Sequence, residues 1–77
     1  MMKQTNAVYR GIKDHKYLFE ILELRTKNLL FNKTNRALIE DFDLTGQKSV
    51  GQQFKLKYFI DETSGRDSYI LCDMERL

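Results

Sequence analysis

The clearest structural signal in the chain is one stretch, Val50-Gly51-Gln52-Gln53-Phe54-Lys55-Leu56-Lys57-Tyr58-Phe59-Ile60-Asp61. Its apolar and polar residues alternate, so that Phe54, Leu56, Tyr58 and Ile60 share one parity and Gln53, Lys55, Lys57 and Asp61 share the other. Because successive side chains of a strand point to opposite faces, this alternation predicts a half-buried β-strand. Phe59 breaks the pattern, since it falls on the face that carries the lysines. We therefore take Phe59, Lys55 and Lys57 as the leading candidates for a binding surface.

The composition is that of one small globular domain. The chain has 77 residues, and 42% of them are hydrophobic, which is more than a disordered segment carries. It has no proline and no low-complexity run that would divide it into parts. We expect residues 1–5 to form a flexible N-terminus and residues 6–77 to form a single small β-barrel domain.

Short apolar patterns recur along the chain and predict further strands. They cover residues 6–12, 17–24, 28–31, 36–42 and 68–75. Gly11 lies inside the first of these segments, which indicates a β-bulge there. Clusters of turn-forming residues separate the segments, at 13–16, 32–35, 45–49 and 61–67. Alternation then places five residues on the core faces of the first and last strands: Val8, Ile12, Ile70, Cys72 and Met74.

Two of these segments also fit a helix. Residues 17–24 are short and dense in aromatic and branched side chains, and this favours a strand. Residues 36–42 fit either a strand that forms a hairpin with residues 28–31 or a short helix. We favour the hairpin and keep the helix as the alternative.

The pattern as a whole predicts an all-β fold of five or six short antiparallel strands with no long helix. A flat sheet of this size would leave exposed edges, and closing it into a barrel removes them. We expect a small SH3-like barrel, with an OB-like barrel as the alternative. An OB barrel usually carries a helix between its third and fourth strands, and only the short loop at residues 45–49 is available for it.

Residues that carry catalysis or bind metals are sparse. His15 is the only histidine and Cys72 the only cysteine, and no CxxC or HxxxH spacing occurs. We expect no enzymatic activity, no metal site and no cofactor. A single cysteine excludes an internal disulfide, which fits a reducing compartment. With no apolar signal segment and no apolar run of about 18–20 residues, we expect a cytoplasmic protein that does not contact a membrane.

Charge is distributed unevenly along the chain. Residues 1–36 carry eight Lys/Arg and three Asp/Glu, whereas residues 37–77 carry five and eight. Lysines beside an aromatic ring are typical of surfaces that bind single-stranded nucleic acid, where lysines follow the phosphates and the ring stacks on a base. Five basic residues of the first half would extend such a patch around Phe59: Arg10, Lys13, Lys16, Lys33 and Arg36.

Protein contact is the interpretation that we prefer. The chain has more apolar residues than one face of so small a barrel can cover, in particular Tyr17, Phe19, Leu29, Phe31, Ile39, Phe59 and Leu71. Surplus apolar surface marks partner sites or self-association. We predict a small non-catalytic adaptor that binds a protein partner or itself, with single-stranded nucleic acid or RNA as the alternative ligand.

Overall fold

The computed structural model describes residues 2–23, 27–62, 65 and 67–77, which form one six-stranded sheet and one short helix. In chain order the elements are β1 (Met2–Lys13), β2 (Lys16–Ile21), β3 (Asn28–Phe31), β4 (Lys33–Thr34), α1 (Arg36–Asp41), β5 (Gln53–Asp61) and β6 (Ser68–Arg76). The strand order is β3-β2-β1-β5-β6-β4, and all pairs are antiparallel except β4 with β6. The predicted all-β class with no long helix is confirmed.

A few predicted positions lie outside the described residues. They are residue 1 of the expected flexible N-terminus, residue 24 of the second expected strand, and residues 63, 64 and 66 of the last expected turn.

β5 confirms the alternation that predicted it. The inward side chains, Phe54, Leu56 and Tyr58, are buried, and the outward side chains of Lys57 and Phe59 are exposed. The strand begins at Gln53 and not at residue 50, because residues 50 and 51 belong to a turn. Gly51 has a φ of 88° in this turn. That left-handed conformation favours glycine, which has no Cβ to clash with the backbone.

β1 begins earlier than the pattern predicted. Residues 2–5 were expected to lie in a flexible N-terminus, but they pair with β5: Met2 lies opposite Phe59, and Thr5 lies opposite Leu56. The two strands are therefore paired over almost the whole length of β5. As a consequence, the start of the chain contributes to the outer face of the sheet.

The predicted bulge at Gly11 is confirmed. The register of β1 with β2 shifts between Tyr9 and Gly11, and Gly11 has a φ of 102°. An extra residue reverses the alternation of side chains beyond it. Val8 is buried, whereas Ile12 lies opposite Tyr17 near the hairpin end and is 50% exposed. The prediction that Val8 and Ile12 share a core face is wrong: Val8 lies opposite Glu20 and Gln53 on the outer face, and beyond the bulge Ile12 lies on the face of Tyr17.

β6 contains a second bulge, which no glycine in the sequence indicated. Its register with β5 shifts between Lys57 and Tyr58, so that Cys72 has no residue opposite. The inward side chains are consequently Leu71 and Met74, on either side of the bulge. The predicted core face, which ran through Cys72, is wrong for this reason, and Cys72 is only partly buried.

Residues 36–41 form helix α1, so the predicted strand and its hairpin with residues 28–31 are wrong and the helical alternative is correct. Asn35 caps the helix, since its Oδ1 accepts a hydrogen bond from the Leu38 N–H at 2.9 Å. Leu38 is also the residue that the helix buries. β3 pairs with β2 instead of with residues 36–42. In the described part of the chain, no helix is long and apolar enough to cross a membrane.

β3 and β4 are separated only by Asn32, yet they lie at the two ends of the strand order. β3 pairs with β2, and β4 pairs with β6, so the chain passes from one end of the sheet to the other here. The Asn32 N–H donates to the Tyr69 carbonyl of β6 at 3.1 Å. The sheet must therefore curve enough to bring both ends to one segment. Phe31 packs inside this curve, where its ring contacts those of Phe19, Tyr58 and Tyr69.

Tyr9 connects β1 to the segment that links α1 to β5. It is fully buried, and its hydroxyl donates to the Leu44 carbonyl at 2.5 Å. Its carbonyl accepts from the Gly51 N–H at 2.7 Å, and its N–H donates to the Gln52 carbonyl at 3.1 Å. Its ring lies 4.9 Å from that of Phe19. Burial raises the pKa of the Tyr9 hydroxyl to about 12, with a smaller contribution from Tyr17.

Replacing Tyr9 by Phe tests this connection. The variant keeps the ring but leaves the Leu44 carbonyl without its donor, so we expect the free energy of unfolding at neutral pH to fall by about 1–3 kcal/mol. Urea denaturation followed by circular dichroism measures the change. An unchanged midpoint would contradict the structural role of the hydroxyl.

The same variant tests the pKa of Tyr9. The neutral hydroxyl is favoured in the fold, so its stabilising contribution is complete below the unfolded value of 10.0 and is lost as pH rises towards about 12. Over that window we expect the native chain to lose about 2–3 kcal/mol that Tyr9→Phe does not lose. Parallel pH dependences of the two proteins would show that Tyr9 ionises as readily in the fold as in the unfolded chain.

Candidate binding surfaces

An exposed row of three apolar side chains crosses the middle of the sheet. Met2 of β1 lies opposite Phe59 of β5, and Phe59 lies opposite Ile70 of β6. Residues opposite each other in an antiparallel pair project from the same face. Met2 is 57% exposed, Phe59 is 38% exposed and Ile70 is half-buried. We call these three residues the apolar row.

Two charged pairs lie beside the apolar row on the same face. Lys57 lies opposite Asp73, and Lys55 lies opposite Glu75. The Lys55 Nζ is 3.8 Å from the Glu75 Oε1. Pairs as exposed as these contribute little to stability, which leaves them available for contacts with a partner. We call the apolar row and these four charged residues together the β5 face.

The predicted arrangement of two lysines and an aromatic ring is present, but its charge is balanced. Lys55, Lys57 and Phe59 alternate with the buried residues of β5 and so project from one face. The sequence could not show that Asp73 and Glu75 would lie next to the lysines, because this depends on the register of β5 with β6. With a carboxylate beside each ammonium group, the β5 face has no excess positive charge to attract phosphates.

The other predicted basic residues lie elsewhere. Arg10 donates from Nε and Nη2 to the Glu20 Oε2 at 3.3 and 3.2 Å. Lys13 and Lys16 lie opposite each other at the end of the β1–β2 hairpin, and Arg36 is exposed at the start of α1. None of these four basic residues belongs to the β5 face. The structure therefore does not gather the predicted set into one patch.

Most of the predicted surplus of apolar residues lies in the core. Phe19, Leu29, Phe31 and Leu71 are buried, and Tyr17 packs against them. Phe59 is the exposed member of that set. Four exposed apolar residues were missed among the described residues: Met2, Ile12, Leu30 and Leu77. Met2 had no strand pattern around it, and Ile12 lies near the end of the β1–β2 hairpin, where fewer residues cover it.

A groove of about 260 Å³ lies on another part of the surface, across β2, β3 and the start of β6. It is lined by Lys16, Asn28, Leu30, Asn32, Asp67 and Tyr69. Asn28 and Leu30 alternate with the buried Leu29 and Phe31, so they project from the outer face of β3. We call this feature the β2–β3 groove. The sequence could not predict it, because its lining comes from segments that only the sheet topology brings together.

Residues with catalytic or metal-binding chemistry are dispersed. Within residues 2–23, 27–62, 65 and 67–77, no group of three or more His, Cys, Asp and Glu side chains could hold a metal ion. His15 is exposed in the hairpin turn. The Cys72 Sγ lies 3.6 Å from the Ile70 carbonyl oxygen. The β5 face and the β2–β3 groove are two surface features of the described residues that are suited to binding.

Comparisons of the chain with protein-family models, with curated proteins and with solved structures gave no match.

Proposed function

We propose that this chain is a small non-catalytic binding module that acts through protein contacts, and that it self-associates through the β5 face. The observation that carries the proposal is the apolar row on an open face of the sheet, with charged groups of both signs beside it. Exposed apolar surface with a polar rim is the usual composition of a protein contact. The occupant that fits best is a second copy of the chain, because the β5 face is complementary to itself.

A two-fold axis that runs between β5 and β6, parallel to both strands, places unlike groups opposite each other. In such a symmetric interface residue i of one copy meets residue j of the other, and residue j meets residue i. With this axis, Lys57 faces Asp73 of the second copy, and Lys55 faces Glu75 of the second copy. Phe59 then faces Ile70 of the second copy, so the apolar rows also come into contact.

Self-association would also strengthen a small fold. A chain of 77 residues buries a smaller fraction of its surface than a larger domain, so its core supplies little stability in excess. A contact made only by the folded state adds stability that increases with protein concentration. The covering of the apolar row adds to this gain, because it removes Phe59 from water.

We propose further that the curved sheet is a small barrel of OB-like type and not of SH3-like type. Three observations support this. Asn32 joins the two ends of the strand order, β4 pairs in parallel with β6, and α1 lies between β4 and β5. If β3 and β4 are counted as one interrupted strand, the sheet has the five strands of an OB barrel. The sequence favours the SH3-like type only because it shows no helix before β5, and α1 occupies that position.

Single-stranded nucleic acid is the second candidate ligand. The observation that favours it is Lys16 in the lining of the β2–β3 groove with Lys13 opposite it, since the lysines of the β5 face lie opposite carboxylates. We place the protein in the cytoplasm, because its single cysteine, Cys72, suits a reducing compartment.

Replacing Phe59 by Thr tests self-association. Truncating a central aromatic anchor costs about 2 kcal/mol or more, so we expect the dissociation constant of the dimer to rise more than about tenfold. Sedimentation equilibrium over a concentration series measures it. Ile12→Thr is the matched control, because it changes an exposed apolar strand residue away from the β5 face. A native chain that stays monomeric at every concentration would refute the proposal.

A charge exchange tests the symmetry of the contact. One variant carries Lys55→Glu and Lys57→Glu, and the other carries Asp73→Lys and Glu75→Lys. Each β5 face then bears one sign of charge, so we expect both variants to be monomeric and their mixture to form a heterodimer. Sedimentation velocity measures all three samples. Lys48→Glu serves as a control for charge alone, and failure of the mixture to associate would contradict the proposed axis.

A further inference from the structure

The β2–β3 groove brings together hydrogen-bonding and apolar groups. Asn28 and Asn32 present side-chain amides, each of which can donate and accept hydrogen bonds in one plane. Leu30, which is 37% exposed, and Tyr69 provide apolar surface, and Asp67 adds a carboxylate acceptor. At about 260 Å³ the groove is smaller than the roughly 300–1,000 Å³ of a site for a drug-sized molecule. It therefore suits a single planar ring with polar edges.

Tyr69 is held firmly in the wall of this groove. Its ring centroid lies 6.4 Å from that of Phe31 and 6.1 Å from that of Tyr58, and both of those residues are buried. Its carbonyl accepts the hydrogen bond from the Asn32 N–H, which ties β6 to the junction of β3 and β4. A ring that is already fixed loses little conformational entropy when a ligand stacks on it. Aromatic platforms of this kind are what the bases of a single strand bind.

One lysine lines the groove and three others are neighbours of its lining residues. Lys16 lines it, Lys13 lies opposite Lys16, and Lys27 and Lys33 are next to Asn28 and Asn32 in the chain. Within the part of the chain that the structure describes, none of these four ammonium groups forms an ion pair. The lysines of the β5 face, by contrast, lie opposite carboxylates. Cations without a protein partner are the ones that gain most from binding phosphates, because their neutralisation releases counterions from the nucleic acid.

We propose that the β2–β3 groove binds one base of a single-stranded nucleic acid while the four lysines contact the flanking phosphates. The base stacks on Tyr69, and its polar edge hydrogen-bonds to the amides of Asn28 and Asn32. A neutral sugar would meet the same amides and ring but would gain nothing from the lysines. The site uses no residue of the β5 face, so it does not depend on self-association.

Fluorescence anisotropy of labelled single-stranded RNA and DNA tests the proposal with the full chain. Oligonucleotides of roughly ten nucleotides cover the length that such sites occupy. We expect binding at low salt, and a logarithm of the affinity that falls linearly with the logarithm of the salt concentration. With two to four phosphates neutralised, the slope should be about −1.4 to −2.8. Repeating the titration in the Phe59→Thr background separates this binding from any effect of self-association.

Three variants separate phosphate contacts from base contacts. Lys13→Gln with Lys16→Gln should weaken binding and reduce the size of the salt slope by about 1.4. Asn28→Leu should weaken binding by about tenfold without changing the slope, because it removes hydrogen bonds to the base and no charge. Lys55→Gln with Lys57→Gln is the matched control, which removes the same charge from the β5 face and should change neither quantity.

Four results would overturn the proposal. They are no binding at low salt, an equal loss in the Lys55→Gln and Lys57→Gln control, native affinity in Asn28→Leu, and displacement of the oligonucleotide by a neutral oligosaccharide. The second would show that the oligonucleotide binds to the β5 face or binds only through non-specific electrostatic attraction. The third would show that no base occupies the groove. The fourth would assign the groove to a sugar.

Discussion

The hydrogen bonds of Tyr9 hold together parts of the chain that lie far apart in sequence. Its hydroxyl binds the segment after α1, its backbone binds the residues that precede β5, and its ring packs on β2 through Phe19. The Gly11 bulge follows directly after Tyr9, and beyond it the side chains of β1 alternate in the opposite sense. β5 therefore enters the sheet in a fixed register beside β1. The composition of both outer surfaces depends on that register.

The uneven charge of the two halves of the chain explains why these surfaces differ. The acidic second half contains β6, whose Asp73 and Glu75 lie beside the lysines of β5 and balance them. The basic first half forms β1 to β4, and Lys13 and Lys16 at the hairpin end lie opposite each other and not opposite carboxylates. One surface is therefore apolar with balanced charge, which suits a second copy of the chain. The other is amide-lined and bordered by cations, which suits a polyanion that carries planar bases.

The local sequence pattern was enough to predict β2, β3, β5 and β6, through strict alternation in β5 and through the density of aromatic and branched side chains in β2. It failed at residues 36–41, where the apolar spacing fits a strand and a helix equally well, and the capping Asn35 was the signal that favoured a helix. It also failed beyond each bulge. The glycine at position 11 predicted the first bulge, but a cysteine at position 72 gives no indication of the second. The binding surfaces were predicted only in part, since the partners of Lys55 and the lining of the groove depend on long-range strand pairing.

Nuclear magnetic resonance of the ¹⁵N-labelled chain tests most directly the central claim that the two surfaces have separate functions. Amide resonances are followed first as the protein concentration increases and then as a single-stranded oligonucleotide is added to the dilute protein. We expect the first series to shift resonances of the β5 face, such as those of Phe59 and Asp73. We expect the second series to shift resonances of the groove, such as those of Asn28 and Leu30. Shifts of one common set of residues in both series would contradict separate functions for the two surfaces.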